Sequence, residues 1–180
     1  SSTHIINGNL VNNGTLTSTG FIAMGTYVAP TSIAPNTVAQ SISGTGTFRN
    51  LGTAPTANVS GLQSSNTSTT GLTLNIPISV SSTLTLTSGI ITTSNTNLLT
   101  VGTSTAGGTI NGASATNYVD GPIARTIATA NANTNYIVFP VGKGGIYSPI
   151  SLAPSTTAAS VFKAEVFNSN SGTANAAIVN

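Results

Sequence analysis

The segment VGKGG at 141–145, a lysine flanked by glycines, is the part of the chain whose sequence is most similar to a phosphate-binding loop. Such a loop has the spacing Gly-x-x-x-x-Gly-Lys-Ser/Thr between a strand and a helix, so that backbone N–H groups surround the phosphates. Here Gly144 replaces the hydroxyl residue, Ile137 replaces the first glycine, and the strand-like segment IYSPISL follows. The sequence therefore predicts a hairpin loop whose three glycines supply positive φ angles, with Lys143 as a solvated charge in the turn.

Acid–base chemistry is limited by the supply of titratable side chains. The chain has two acidic residues, Asp120 and Glu165, one histidine, His4, and no cysteine. Asp120 belongs to an Asp-Gly-Pro turn signature and is a predicted contact of Arg125, for which solvent is the alternative, while Glu165 is in a position to pair with Lys163. A glycosidase needs two carboxyl groups roughly 5–9 Å apart, a serine nucleophile needs an orienting base, and a metal site needs several ligands together. We therefore expect no catalytic residue, no metal site and no cofactor.

Aromatic side chains are the remaining candidates for a binding site. Tyrosine combines a large apolar ring with a polar tip, which suits it to the exposed platform that a glycan-binding surface needs. Tyr118, Tyr136 and Tyr147 are close enough along the chain to contribute to one platform.

Paired threonines are a second candidate for a binding surface, because rows of hydroxyl groups on a flat sheet could order water at an ice surface. The Thr-x-Thr pairs lie at 15–17, 45–47, 83–85 and 85–87. Threonine also suits any outward strand position, and these pairs are not regularly spaced.

Charge is scarce in this sequence. Only 3% of the 180 residues are charged and the formal net charge is +2, against roughly 25% charged residues in ordinary soluble domains. Four basic residues do not form an electrostatic footprint for nucleic acid, and no apolar run approaches the roughly 20 residues that span a bilayer. With 38% hydrophobic residues, the chain is able to bury a core rather than remain disordered.

Residues 72–90 carry the clearest structural signal, a strict alternation of apolar and polar side chains. The apolar residues, all at even positions, are Leu72, Leu74, Ile76, Ile78, Val80, Leu84, Leu86 and Ile90. Period-2 alternation predicts strands with one buried and one exposed face. Because strands usually run 3–10 residues, we expect short strands with corners at Ser81-Ser82 and Ser88-Gly89.

The residues before this segment repeat its pattern more loosely. Ile6, Leu10, Leu16 and Ile22 share a parity and have glycines between them. Apolar positions inside, Thr and Asn outside and glycine at the bends are typical of a short parallel β-solenoid, or β-helix, whose coils bury their inner faces by stacking. We assign residues 1–112 to such coils, with 98–112 as the last coil or an exit loop.

Residues 113–180 are predicted to form an antiparallel, β-sandwich-like module. The segments NYVDGPIARTI, NYIVFPVG, YSPISLAP and SVFKAEVF resemble four strands separated by turn residues. Four strands leave exposed edges, so a neighbouring chain could complete the sheet by strand addition.

The ordered series LTLTSGIITTSNTNLLTVG, YVDGPIARTI, FPVGKGGIYSPISL and FKAEVFNSN, over roughly residues 72–170, resembles a recurring module in large secreted proteins of Bacteroidota. Those proteins are similar to surface adhesins exported by the type IX secretion system. The resemblance implies an extracellular, surface-associated and non-enzymatic role. A chain that begins Ser-Ser-Thr rather than with Met is also expected to be a processed protein or a segment of a longer one.

The sequence therefore predicts an all-β structural protein, the stalk or repeating subunit of a cell-surface adhesin or of a self-assembling extracellular filament. Its expected partners are copies of itself or adjacent modules, together with surface glycans, and we expect neither nucleic-acid binding nor membrane insertion. The alternative is a β-solenoid module that binds glycan or ice.

Overall fold

The computed structural model describes residues 3–18, 20–29, 32–49, 59–127, 136–154 and 158–168. These residues form strands, turns and bends, with no helix among them, so the predicted all-β class is confirmed. In the same residues there is consequently no helix long and apolar enough to cross a membrane.

The strands are short and are numbered in chain order. The first eight are β1 Thr3–Ile6, β2 Leu10–Val11, β3 Thr15–Thr17, β4 Phe21–Met24, β5 Thr26–Val28, β6 Ser32–Ala34, β7 Gln40–Ser43 and β8 Thr47–Arg49. The next six are β9 Val59–Ser65, β10 Leu72–Leu74, β11 Ile78–Ser88, β12 Ile91–Thr92, β13 Leu99–Val101 and β14 Thr109–Asn111. The last seven are β15 Val119–Asp120, β16 Ile123–Ile127, β17 Ile137–Phe139, β18 Val141–Lys143, β19 Ile146–Tyr147, β20 Ile150–Leu152 and β21 Ser160–Ala164.

Two sheets contain most of these strands. Sheet A has the order β1-β4-β9-β11-β13-β16-β21, with β14 beside β11, and sheet B has the order β2-β7-β10-β12-β15-β18-β19. The chain passes back and forth between the sheets, and the strands up to β16 in the sheet A order and up to β18 in the sheet B order are each parallel to the strand before them in that order. The last strands, β21 and β19, are antiparallel to their neighbours. Smaller two-stranded sheets pair β3 with β8, β5 with β6 and β17 with β20.

The register of the strands places the apolar side chains of neighbouring strands beside one another, in rows that point into the core; these are the inward rows. In sheet A, Ile78 pairs with Leu99 and Leu99 with Ile123, and in sheet B, Leu72 pairs with Ile91. All of these side chains are buried, as period-2 geometry requires when neighbouring strands project the same residues to the same side. One hydrophobic cluster contains side chains from both sheets, so a single core supports the described strands.

The alternation predicted over residues 72–90 is confirmed as far as Leu86, whereas Ile90 is only partly buried and Ile91 takes the buried position. The predicted corner at Ser81-Ser82 is partly wrong. Every even apolar position from Leu72 to Leu86 is buried, and the odd positions are partly or fully exposed. However, residues 78–88 form one strand of 11 residues. Its register against β9 shifts between Val80 and Thr83, so the chain bends at a bulge and the strand continues beyond it.

Amide side chains connect successive layers. The Nε2 of Gln40 donates to the carbonyl oxygens of Ile6 and Gly8, at 2.8 and 2.9 Å. Buried Asn66 donates to the carbonyl of Val38 and to the Oε1 of Gln40. These amides satisfy backbone groups at the corners, where the strand ladder is interrupted.

The predicted boundary at residue 112 is not marked by a break in the sheets. Segment 98–112 supplies β13 and β14, and the parallel pairing continues beyond it through β15, β16 and β18. Among the described residues of 113–168, the antiparallel strand pairs are β16–β21, β18–β19 and β17–β20, and Ser114 and Asn117 form an isolated antiparallel bridge. Gly121-Pro122, Pro140 and Pro149 divide three of the four predicted strands, because proline cannot donate to a ladder. The described part of the predicted antiparallel module therefore has mixed parallel and antiparallel pairing.

Candidate functional site

The glycine-flanked lysine lies in a tight hairpin, as predicted. Strands β18 and β19 are antiparallel, with Lys143 paired to Ile146. Gly144 and Gly145 form the two-residue turn, with φ angles of 58° and 87°. A turn with positive φ at both central positions matches the twist of a hairpin and favours glycine. A strand, rather than the helix of a nucleotide loop, follows it.

Gly142 has a different role from the one predicted. It lies within β18 and is not among the glycines with positive φ. A Cβ atom at this position would meet the carbonyl oxygen of Ile146 and the ring of Tyr118. Glycine is therefore needed here because the backbone approaches an aromatic ring closely.

Lys143 is paired with Asp120 rather than solvated alone. Its Nζ lies 2.7 Å from the Oδ1 of Asp120, and the Gly144 N–H donates to the Oδ2 at 3.1 Å. The hydrogen bond to Asp120 is the main cause that raises the pKa of Lys143. Asp120 and Gly142 are register partners in adjacent strands, which brings this carboxylate to the turn. The carboxylate of Asp120 therefore stabilises the hairpin turn between β18 and β19.

The other predicted ion pair and the histidine are placed apart from this turn. Lys163 donates to the Oδ1 of Asn95 at 2.8 Å instead of pairing with Glu165. His4 lies on β1, where it is exposed and in register with Ile22. Within the described ranges no three His, Cys, Asp or Glu side chains come together in a way that would hold a metal ion.

The three tyrosines of the predicted platform do not share one surface. Tyr118 is only 1% exposed, and its ring centroid lies 5.9 Å from that of the half-buried Tyr147, at an interplanar angle of 36°. Tyr136 is 76% exposed and lines a different cavity. A buried ring cannot present its face to a sugar, so Tyr136 has the most open ring of these three tyrosines.

A groove of about 650 Å³ lies beside Tyr118. Short stretches from three successive layers line it, at 67–69, 87–90 and 115–118, together with Gly145. Most of the lining side chains are Thr, Ser and Asn, and none is charged. The groove therefore offers neutral hydrogen-bonding groups.

A second cavity, of about 520 Å³, surrounds Arg125. Its Nη1 donates to the Val138 carbonyl at 2.8 Å and its Nη2 to the Gly108 carbonyl at 2.5 Å. Burial lowers the pKa of Arg125. The predicted contact with Asp120 is wrong, since Asp120 binds Lys143.

The position of Arg125 follows from register. Val80 pairs with Val101 and Val101 with Arg125, so the arginine continues an inward row that the earlier layers fill with buried valines. The sequence contained a signal for this placement, because Arg125 has the same parity as Ile123 and Ile127, which are both buried.

The paired threonines form only short rows. The Oγ1 atoms of Thr15 and Thr47 lie 3.4 Å apart on adjacent strands, and Thr83 pairs with Thr109. The register neighbours of Thr85, however, are Gln63 and Asn111. The geometry does not extend these pairs into a regular threonine array.

Comparisons with protein-family models, with curated proteins and with solved structures find no match to this chain. The resemblance to secreted Bacteroidota modules therefore stays a prediction from the sequence.

Proposed function

We propose that the chain is a short β-solenoid closed at one end by antiparallel strands. In this proposal it serves as a non-enzymatic stalk or repeating subunit of an extracellular surface protein or filament. The alternation of the chain between two parallel sheets supports the solenoid, since each layer buries its inner face against the next. The small number of titratable groups supports a mechanical role, because acid–base and nucleophilic catalysis both require them.

The observation that carries this proposal is the difference between the two ends of the sheets. At one end, antiparallel β21 and β19 follow the parallel strands. β19 has only two residues, and β21 carries Lys163, both of which are features that protect sheet edges. At the other end, β1 pairs only with β4 and β2 only with β7 among the described strands, so no described strand occupies their outer edges.

The outer edges of β1 and β2 are the place where assembly would occur in this proposal, so strands would be added at one end of the sheets. A further strand added in parallel beside β1 or β2 would continue both the ladder and the inward rows. Because only 3% of the residues are charged, little electrostatic repulsion opposes close approach of copies. Adjacent modules or copies of the same chain are the partners in this proposal, at the cell surface or outside it.

Light scattering after size exclusion, over a range of concentrations, and negative-stain electron microscopy test whether copies assemble. We expect concentration-dependent multimers and rods or filaments with a regular repeat. Val11→Lys, on edge strand β2, should reduce the multimers because an edge lysine opposes strand addition. Val38→Lys is the matched control, since Val38 is 69% exposed and Val11 is 61% exposed, but Val38 lies outside the strands.

A strictly monomeric chain without filaments would overturn the repeating-subunit form of the proposal. Equal effects of the two lysine substitutions would show that net charge, rather than the open edge, controls assembly.

A further inference from the structure

The cavity around Arg125 holds a cation that has no anionic partner among the residues the structure describes. The chain has two acidic side chains, and Asp120 is already bound to Lys143 and to the Gly144 N–H. Glu165 forms no ion pair with Arg125. The guanidinium instead meets the carbonyl oxygens of Val138 and Gly108.

An arginine in this position is costly for the folded chain. Removing a charge from water is unfavourable unless an opposite charge and hydrogen bonds compensate for it. Arginine has five N–H donors, of which two are used by the carbonyls of Val138 and Gly108. The other three N–H groups have no hydrogen-bond partner among the described residues, and an oxyanion is the ligand that a guanidinium recognises best.

The cavity wall indicates what carries the oxyanion. Tyr136 lies at the cavity with 76% of its surface exposed. Ile110, Val138 and Pro140 add apolar surface, and Thr109 adds a hydroxyl. An open aromatic ring and aliphatic walls suit the C–H face of a sugar ring, and about 520 Å³ is within the range of small-molecule sites.

We propose that this cavity binds an anionic sugar unit, with Arg125 holding its carboxylate or sulfate group and Tyr136 packing against its ring. The site does not depend on the structural role proposed above. It would allow a surface protein to attach to acidic polysaccharides, in which such units are repeated.

Titration of the ¹⁵N-labelled chain with sodium glucuronate, followed by NMR, tests the proposal directly. We expect the Arg125 Nε–H signal, assigned by its loss in Arg125→Lys, to shift with saturation. Glucose, which has the same ring without the carboxylate, should produce no saturable shift. Glucose 6-sulfate distinguishes the two anions, since a stronger response to it than to glucuronate would identify a sulfated sugar as the ligand.

Tyr136→Ala separates binding from a purely structural role for Arg125. Tyr136 is exposed, so its truncation should leave the melting temperature unchanged while weakening glucuronate binding about fivefold, as loss of one ring contact predicts. Tyr27→Ala is the matched control, because Tyr27 is 51% exposed and lies on β5, outside this cavity.

Three results would overturn the proposal. The first is an Arg125 signal that neither glucuronate nor glucose 6-sulfate moves, which would leave Arg125 as a structural link between two carbonyls. The second is an equal response to glucose. The third is unchanged glucuronate affinity in Tyr136→Ala.

Discussion

Polar side chains inside the core differ in how fully their hydrogen bonds are satisfied. Buried Asn66 bonds to the carbonyl of Val38 and to Gln40, and it accepts bonds from Ser68. The Ser64 Oγ and the Tyr118 hydroxyl are also buried, but they find no partner among the described residues. An unsatisfied buried group costs about 1–3 kcal/mol, so these two hydroxyls lower the free energy of unfolding.

Ser64→Ala is expected to raise the free energy of unfolding by about 1 kcal/mol, because it removes an unsatisfied hydroxyl without creating a large cavity. Ser65→Ala is the matched control at the next residue, where the Oγ lies 3.3 Å from the Oγ of Ser88. That substitution should be neutral or destabilising. Urea unfolding of the three proteins measures both effects, and a loss of stability in Ser64→Ala would contradict the prediction.

The Lys143–Asp120 pair predicts a stability change at alkaline pH. Its hydrogen bond raises the pKa of Lys143 above 10.5 in the folded chain. Its stabilising contribution is therefore fully present below pH 10.5 and is lost as the pH rises through the raised pKa. For a pair this exposed, the contribution at neutral pH is about 0.5 kcal/mol.

Asp120→Asn provides the comparison, because it removes the carboxylate charge and changes no other side chain. We expect the difference in unfolding free energy between the original chain and Asp120→Asn to be constant from neutral pH to about pH 10 and to shrink above it. A difference that instead grows above that pH would show that another group controls the alkaline transition.

Single glycines determine where strands end. Gly89 follows β11 with a φ of 75°, and a Cβ atom there would collide with the backbone carbonyl of Asn66. Gly145 has a similar φ of 87° with no atom near the Cβ position. Both positions have a positive φ, but only at Gly89 does another atom lie close to the Cβ position. Comparing substitutions at the two sites therefore separates backbone strain from steric collision.

Gly89→Ala should lower the free energy of unfolding by about 3 kcal/mol or more, because left-handed strain and a backbone collision add. Gly145→Ala should cost only about 1 kcal/mol, from the strain alone. Thermal and urea unfolding measure both variants. Equal losses would indicate that the backbone near Asn66 relaxes and that close packing does not control this corner.

Scarcity of charge makes the whole molecule insensitive to salt. The chain has six charged side chains, and one ion pair forms among the described ones. At 0.1 M salt, interactions between exposed charges more than about 10 Å apart are largely screened. With so few charged groups, little stability is available for salt to remove. Stability should therefore depend on the apolar rows and the backbone ladders.

We expect the melting temperature to change by less than about 3 °C between about 0.01 M and about 1 M NaCl. Calorimetry at several salt concentrations measures this change. A rise or fall well beyond that range would show that charged groups contribute more to the fold than their number indicates.

The sequence by itself determined the all-β class and the inner and outer faces of the strands. Every apolar residue at an even position from Leu72 to Leu86 is buried in the core, as the alternation predicts. The hairpin at 144–145 was also predictable, because adjacent glycines favour one kind of turn. These properties depend on residues within a few positions of one another, so they can be predicted directly from the sequence.

Only the tertiary structure decided which strands are neighbours and which side chains meet. The offset between paired residues is not constant, since Thr3 pairs with Phe21 but Leu10 pairs with Ile42, across the β5–β6 hairpin inserted between β4 and β7. The partners of Arg125, the separation of Tyr136 from Tyr118 and the continuation of the sheets past residue 112 all depend on that register. Register pairs residues that are far apart in the chain, and insertions change their spacing without altering the local alternation. No short sequence pattern therefore predicts the register.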